Sequence, residues 1–100
     1  MTMSNLPTLT ETDLIHELQS PSSPVLVYFI SAHCAPCKML TPVVEQLALE
    51  WNGAVRVVAF DVLAHMLAAL RYRVMSAPEL ILFKDGQAVM RFHGDAPKQK

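Results

Sequence analysis

Apolar residues along the chain fall into solid runs and spaced ones. Val25-Leu26-Val27-Tyr28-Phe29-Ile30 is a solid run of β-branched and aromatic residues, the pattern of a central strand buried on both faces. Val55 to Phe60, interrupted only by Arg56, reads as a second strand. Between them Leu40, Val43, Val44, Leu47, Ala48 and Trp51 recur at helical spacing. This predicts a helix from Ala35 with those residues as its buried face and Asn52-Gly53 as its end. A strand, a helix and a strand in this order form a right-handed parallel βαβ unit.

The flanking segments extend the same reading. Thr10 stands three residues before Asp13, the spacing of a capped helix start, and Leu14, Ile15 and Leu18 follow on one face. The prolines and serines from Ser20 to Pro24 end that first helix, and Leu6 to Leu9 predicts a short strand before it. Ala64 to about Arg71 predicts a third helix with Met66, Leu67 and Leu70 as its apolar side. Leu80 to Phe83 and Ala88 to His93 are strand-like and flank Lys84-Asp85-Gly86, a strong hairpin signal. The last pair is therefore antiparallel and the sheet mixed. Pro42, inside the long helix, removes the hydrogen bond to the Lys38 carbonyl and predicts a kink.

Composition narrows the class. At 100 residues and 52% hydrophobic, the chain fits a single domain over 1–100 with a core of its own. Its eight basic and nine acidic residues are dispersed, which argues against nucleic acid or an anionic membrane as partner. The first residues lack the charged start and apolar centre of a signal peptide, and no apolar run is long enough to cross a bilayer. A cytoplasmic setting is expected, where thiols are kept reduced and a catalytic or metal-binding cysteine pair is favoured over a structural disulfide.

The two cysteines lie in His33-Cys34-Ala35-Pro36-Cys37-Lys38, just where the long helix begins. Two thiols at this spacing, beside a βαβ pattern, read as a redox pair. A helix N-terminus offers partial positive charge and free amide donors, which stabilise a thiolate at Cys34, while Cys37 sits one turn inside. An incidental pair of buried thiols is the plain alternative. A metal site from Cys34, Cys37, His33 and His93 matches no standard ligand spacing, so no metal is expected.

With these motifs in register, the chain from about Leu6 to Gly94 resembles the thioredoxin family. The likeness rests on Phe29 through Cys34-Ala35-Pro36-Cys37-Lys38, on Ala77-Pro78 at the family's cis-proline, and on Phe83-Lys84-Asp85-Gly86 followed by Gly94. It implies a three-layer α/β sandwich with a mixed central sheet, a parallel βαβ unit and a C-terminal antiparallel hairpin. It also implies a thiol–disulfide oxidoreductase in which Cys34 is the exposed nucleophile, Cys37 resolves, and Ala77, Pro78, Pro36 and Met75 line the substrate groove. No cofactor beyond the dithiol is implied. The expected partners are protein disulfides and a reductant such as a thioredoxin reductase or glutathione. The other reading from the same resemblance is a binding or co-chaperone module with weak or no turnover.

The chain departs from the family where the dithiol is supported. Tyr28 stands at the position of a buried aspartate, Ala59 at that of its lysine partner, Ile30 and His33 at two tryptophans, and Ala35 at a glycine. Glu79 follows the proline in place of a small polar residue. Because the strands of Tyr28 and Glu79 are expected to be neighbours, Glu79 is a candidate for the missing carboxylate. His33, Lys38, Tyr28, Glu79 and His93 are thus the expected modulators of the dithiol. Met39, Met66, Met75 and Met90 are expected as core or groove filler, and His16 and His65 as surface residues on helices. Asp95-Ala96-Pro97 begins a final helix that Lys98-Gln99-Lys100 does not continue. That predicts an uncovered sheet face suited to self-association.

Overall fold

The computed structural model describes residues 6–19, 23–32 and 34–93. The expectations for His33, for the Ser20 to Ser22 turn, and for Gly94 and the helix start at Asp95-Ala96-Pro97 lie outside the described residues. The elements in order are α1 (Glu11–Gln19), β1 (Val25–Ile30), α2 (Ala35–Trp51), β2 (Arg56–Asp61), α3 (Met66–Arg71), β3 (Glu79–Lys84) and β4 (Gln87–His93). The expected early strand is reduced to a single bridge between Thr8 and Ala59, held by Leu9 N–H to Ala59 O at 2.9 Å and Ala59 N–H to Pro7 O at 2.8 Å.

The local signals act as the chemistry requires. The Asp13 amide donates to Thr10 Oγ1 at 3.2 Å, capping α1. Helix α2 runs through Pro42 and ends at Asn52, whose φ of 47° is left-handed and whose N–H reaches Ala48 O. Asp85 and Gly86 both take positive φ, 55° and 82°, the two-residue turn whose twist matches an antiparallel pair.

The sheet order is β2-β1-β3-β4. β1 runs parallel to β2 and antiparallel to β3, and β3 is antiparallel to β4. The mixed sheet with helices on both faces is the architecture expected from the sequence. On one face Val27, Phe29, Val58, Phe60, Ile81 and Phe83 pack beneath Leu14 and Leu18 of α1 and Ala68 and Ala69 of α3. On the other, Leu26, Tyr28, Val57 and Ala59 lie beneath Val44 of α2, joined by Leu40, Ala48 and Trp51.

Two helix faces differ from their expected orientation. In α2, Val43 is exposed although its neighbours Leu40 and Val44 face the sheet. In α3, Met66, Leu67 and Leu70 all face outward, Leu67 at 80% exposure, and the buried side is Ala68 and Ala69. A helix of six residues lying close on the sheet accommodates alanines at the contact and turns its larger side chains away. The four methionines expected as filler are likewise exposed. His65 stands at the start of α3 rather than within it, and its ring stacks on Phe60 at 5.0 Å.

Candidate functional site

Cys34 occupies the N-cap of α2. Its backbone is extended, its carbonyl accepts the Lys38 N–H at 3.3 Å, and its Sγ accepts the Cys37 N–H at 3.0 Å. The side-chain sulfur thus does what a serine or aspartate oxygen does at an ordinary N-cap. Pro36 lies in the first turn, where its missing N–H removes no intrahelical bond. The two sulfurs are joined, Sγ to Sγ at 2.11 Å. When that bond opens, charge left on Cys34 faces an aligned amide and the positive end of a 17-residue helix.

The expected contrast between an exposed Cys34 and a shielded Cys37 is small in the disulfide form, at 7% and 4% exposure. Position separates them instead. Cys37 is anchored from behind: the Tyr28 hydroxyl donates to the Cys37 carbonyl at 2.8 Å, and the Thr41 hydroxyl donates to the same oxygen at 2.7 Å. The two hydroxyl oxygens are 2.9 Å apart. Burial pushes the Tyr28 phenol above its ordinary range; the adjoining Thr41 hydroxyl, able to turn and donate to the phenol oxygen, opposes this and the Glu45 carboxylate adds to it.

Both cysteines border a cleft of about 510 Å³ whose wall includes Lys38, Thr41 and Glu45 of α2, Ile30 at the end of β1 and Ser31 after it. Glu45 is the one carboxylate among the described residues that line it. Thr41 and Glu45 lie four and eight residues beyond Cys37, so the helical stripe of Cys37 carries them to the same side. That spacing was the available signal for residues that the motif alone did not single out.

Glu79 is not at the back of the dithiol. Its strand does neighbour β1 as expected, but Tyr28 pairs with Leu80, so Glu79, paired with Phe29, points to the opposite face. There it is buried at 2% exposure and bonded to Arg91, with His93 Nδ1 at 3.6 Å. The carboxylate on the Cys37 side is Glu45.

The register also fixes where the proline loop lies. Phe29 opposite Glu79 puts the end of β1 beside the start of β3, so the Cys34 and Pro78 loops share one end of the sheet. The Ala77–Pro78 peptide is cis and Pro78 is buried, whereas Met75 is 81% exposed. Met75 borders a shallow apolar depression with Leu63, Met66 and Leu70. No group of three or more metal-binding side chains occurs among the described residues. No helix among them is long and apolar enough to cross a membrane.

A family model described as Thioredoxin matches residues 5–100. The chain belongs to the thioredoxin family. It is 37% identical over 91 residues to thioredoxin C-2 of Corynebacterium nephridii, covering 91% of this chain and 84% of that one. It is 41% identical over 88 residues to a thioredoxin of Staphylococcus aureus, covering 88% and 85%. One solved chain comes from work on the structural basis of the thiol resolving mechanism in yeast mitochondrial 1-Cys peroxiredoxin via glutathione/thioredoxin systems. It matches with a TM-score of 0.82 and 26% identity over 93% of this chain and 87% of its own. Membership in the thioredoxin family, with the paired cysteines at the head of α2, supports a thiol–disulfide oxidoreductase.

Proposed function

We propose that this thioredoxin-family chain exchanges disulfides with protein substrates through Cys34-Ala35-Pro36-Cys37. The observation that carries the reading is the Cys34 sulfur at the N-cap of α2, accepting the Cys37 amide, at the end of the sheet that also holds the Pro78 loop. In the reduced form the Cys34 thiolate attacks one sulfur of a substrate disulfide. The substrate S–S bond breaks, a Cys34–substrate disulfide forms, and the other substrate sulfur leaves as a thiolate that takes a proton. Cys37 then gives up its proton and attacks Cys34 Sγ. The substrate leaves as a dithiol with two electrons gained, and the Cys34–Cys37 disulfide remains.

Each step has a group suited to it. The helix terminus and the Cys37 amide stabilise Cys34 as attacking and as leaving thiolate, and Lys38 adds positive charge at the cleft. Glu45, two turns beyond Cys37 on the same stripe of α2 and lining the same cleft, takes the Cys37 proton through water. Ala77, Pro78, Pro36 and Met75 form the surface for the substrate backbone. No cofactor beyond the dithiol is needed; a thioredoxin reductase or glutathione, in a reducing cytoplasm, returns the disulfide to the dithiol.

Reduction of insulin by the chain, supplied with dithiothreitol, tests this. Turnover is expected for the native chain and loss to background for Cys34→Ser, while Cys37→Ser accumulates the mixed disulfide. A native chain that neither reduces insulin nor equilibrates with a glutathione redox buffer would leave a binding module in place of an oxidoreductase.

A further inference from the structure

The buried carboxylate that plays no part at the back of the dithiol belongs to a second device at the same end of the sheet. Glu79 accepts a hydrogen bond from Arg91 Nη1. The same guanidinium donates from Nη2 to the Tyr72 carbonyl at 2.7 Å and from Nη1 to the Arg73 carbonyl at 3.3 Å. One planar fork on β4 therefore holds backbone just before residues 74–78 and the side chain just after them. Those residues are the proline loop, with Val74 and Pro78 buried at its ends and Met75 and Ser76 exposed between. His93 lies 3.6 Å from the other carboxylate oxygen of Glu79.

We propose that Arg91, held by Glu79, is a positioning residue that clamps the 74–78 loop and so sets the surface on which a protein disulfide is presented to Cys34. The inference rests on the oxidoreductase reading and adds to it a group that touches neither sulfur nor substrate. Its chemistry is specific to a guanidinium: two carbonyls and a carboxylate converge on it from different directions, a set that the single ammonium of a lysine does not satisfy at once. A loop tied at both ends loses little further freedom when a peptide docks, which favours binding of an extended substrate. A small disulfide that meets Cys34 without lying along the loop gains nothing from the clamp.

The test compares a protein disulfide, insulin, with a small one, 5,5′-dithiobis(2-nitrobenzoate), for the native chain, Arg91→Lys and Glu79→Met/Arg91→Met. The double variant leaves no buried charge without its partner, so it is expected to fold. Loss of the clamp is expected to raise KM for insulin about tenfold with little change in kcat, and to alter small-disulfide kinetics by less than about twofold. Arg91→Lys should fall on the side of the double variant. Amide hydrogen exchange at residues 74–78 should quicken in the double variant while β1 and β2 remain protected. An insulin KM within about twofold of native in the folded double variant overturns the proposal, as do equal losses on both substrates. If the native chain does not turn over insulin, the oxidoreductase reading fails, and exchange alone decides the clamp: unchanged rates at residues 74–78 overturn it.

Discussion

Tyr28 shows how a single side chain rebuilds the support of the dithiol, and Glu45 is proposed to complete it. The phenol fills the place beneath Cys37 and bonds to its carbonyl, so it holds the start of α2 on the sheet without offering a charge. Its ionisation carries a pH signature. In the unfolded chain the phenol ionises near pH 10, but burial makes the folded chain hold the proton to higher pH. The folded pKa is raised, so the stabilisation is complete below the unfolded value and is lost as pH rises through the folded one. Between the two values stability falls by at most about 1.4 kcal/mol per pH unit for one such group. Tyr72, raised mainly by burial, follows the same sign. Tyr28→Phe should therefore cost about 1 kcal/mol at pH 8 from the lost hydrogen bond. Its decline above pH 10 should be shallower than native, as read by urea unfolding of the oxidised chain. Glu45, on the same helical stripe two turns beyond Cys37, is the proposed proton acceptor. Below the ordinary thiol pKa of about 8.5, a protonated Cys37 needs an acceptor before it can attack. Glu45→Gln should slow release of the mixed disulfide several-fold at pH 7 and converge on the native rate above about pH 9. Acid-quenched time courses read the lifetime directly, and a lifetime unchanged at pH 7 removes Glu45 from the mechanism.

At the scale of elements, the sequence was most readable where one local rule decided the outcome. The Thr10 cap, the solid apolar run of β1, the N-cap cysteine and the Asp85-Gly86 turn each needed only near neighbours. What was not readable depended on how elements meet. The strand neighbours of Tyr28 and Glu79 followed from the family likeness, but which face each presents followed from register, and a register one residue off reverses every side chain. Strand β4 shows the same effect more strongly. Lys84 pairs with Gln87 and Phe83 with Ala88, but Leu82 pairs with Met90, leaving Val89 as the extra residue of a bulge. That bulge turns Arg91 onto the face of Glu79 and turns Met90 and Phe92 to the side of Leu82 and Leu80. Without it the clamp would have no guanidinium. Nothing in the alternation of Gln87 to His93 announces where the extra residue falls. The orientation of α3 was hidden for a related reason: apolar spacing identifies a stripe, but in a helix this short the close approach of small residues to the sheet outweighed it.

Across the whole molecule, the weight of the fold lies at the centre of the sheet rather than at its β4 edge. Strands β1 and β2 are covered on both faces, and Phe60 sits without solvent contact between Val58, Phe29 and the α1 and α3 helices. Its ring meets Phe29 edge-on at 5.9 Å and stacks with His65. Phe92 belongs to an equally apolar strand in the sequence, yet it lies on the edge strand at 44% exposure, on the face it shares with Leu80. Phenylalanine to alanine at a filled site typically costs about 3–5 kcal/mol, from lost transfer energy plus the cavity left behind. Small domains have about 5–15 kcal/mol in all. Phe60→Ala is therefore expected to remove a large part of the stability of the chain. Phe92→Ala, which leaves no closed cavity, should cost less than about 1 kcal/mol. Urea unfolding of both variants in the oxidised form, at matched m-values, makes the comparison. If Phe92→Ala proves as costly as Phe60→Ala, then the β4 edge is covered in solution by something that buries that ring, and the central sheet is not the sole seat of stability.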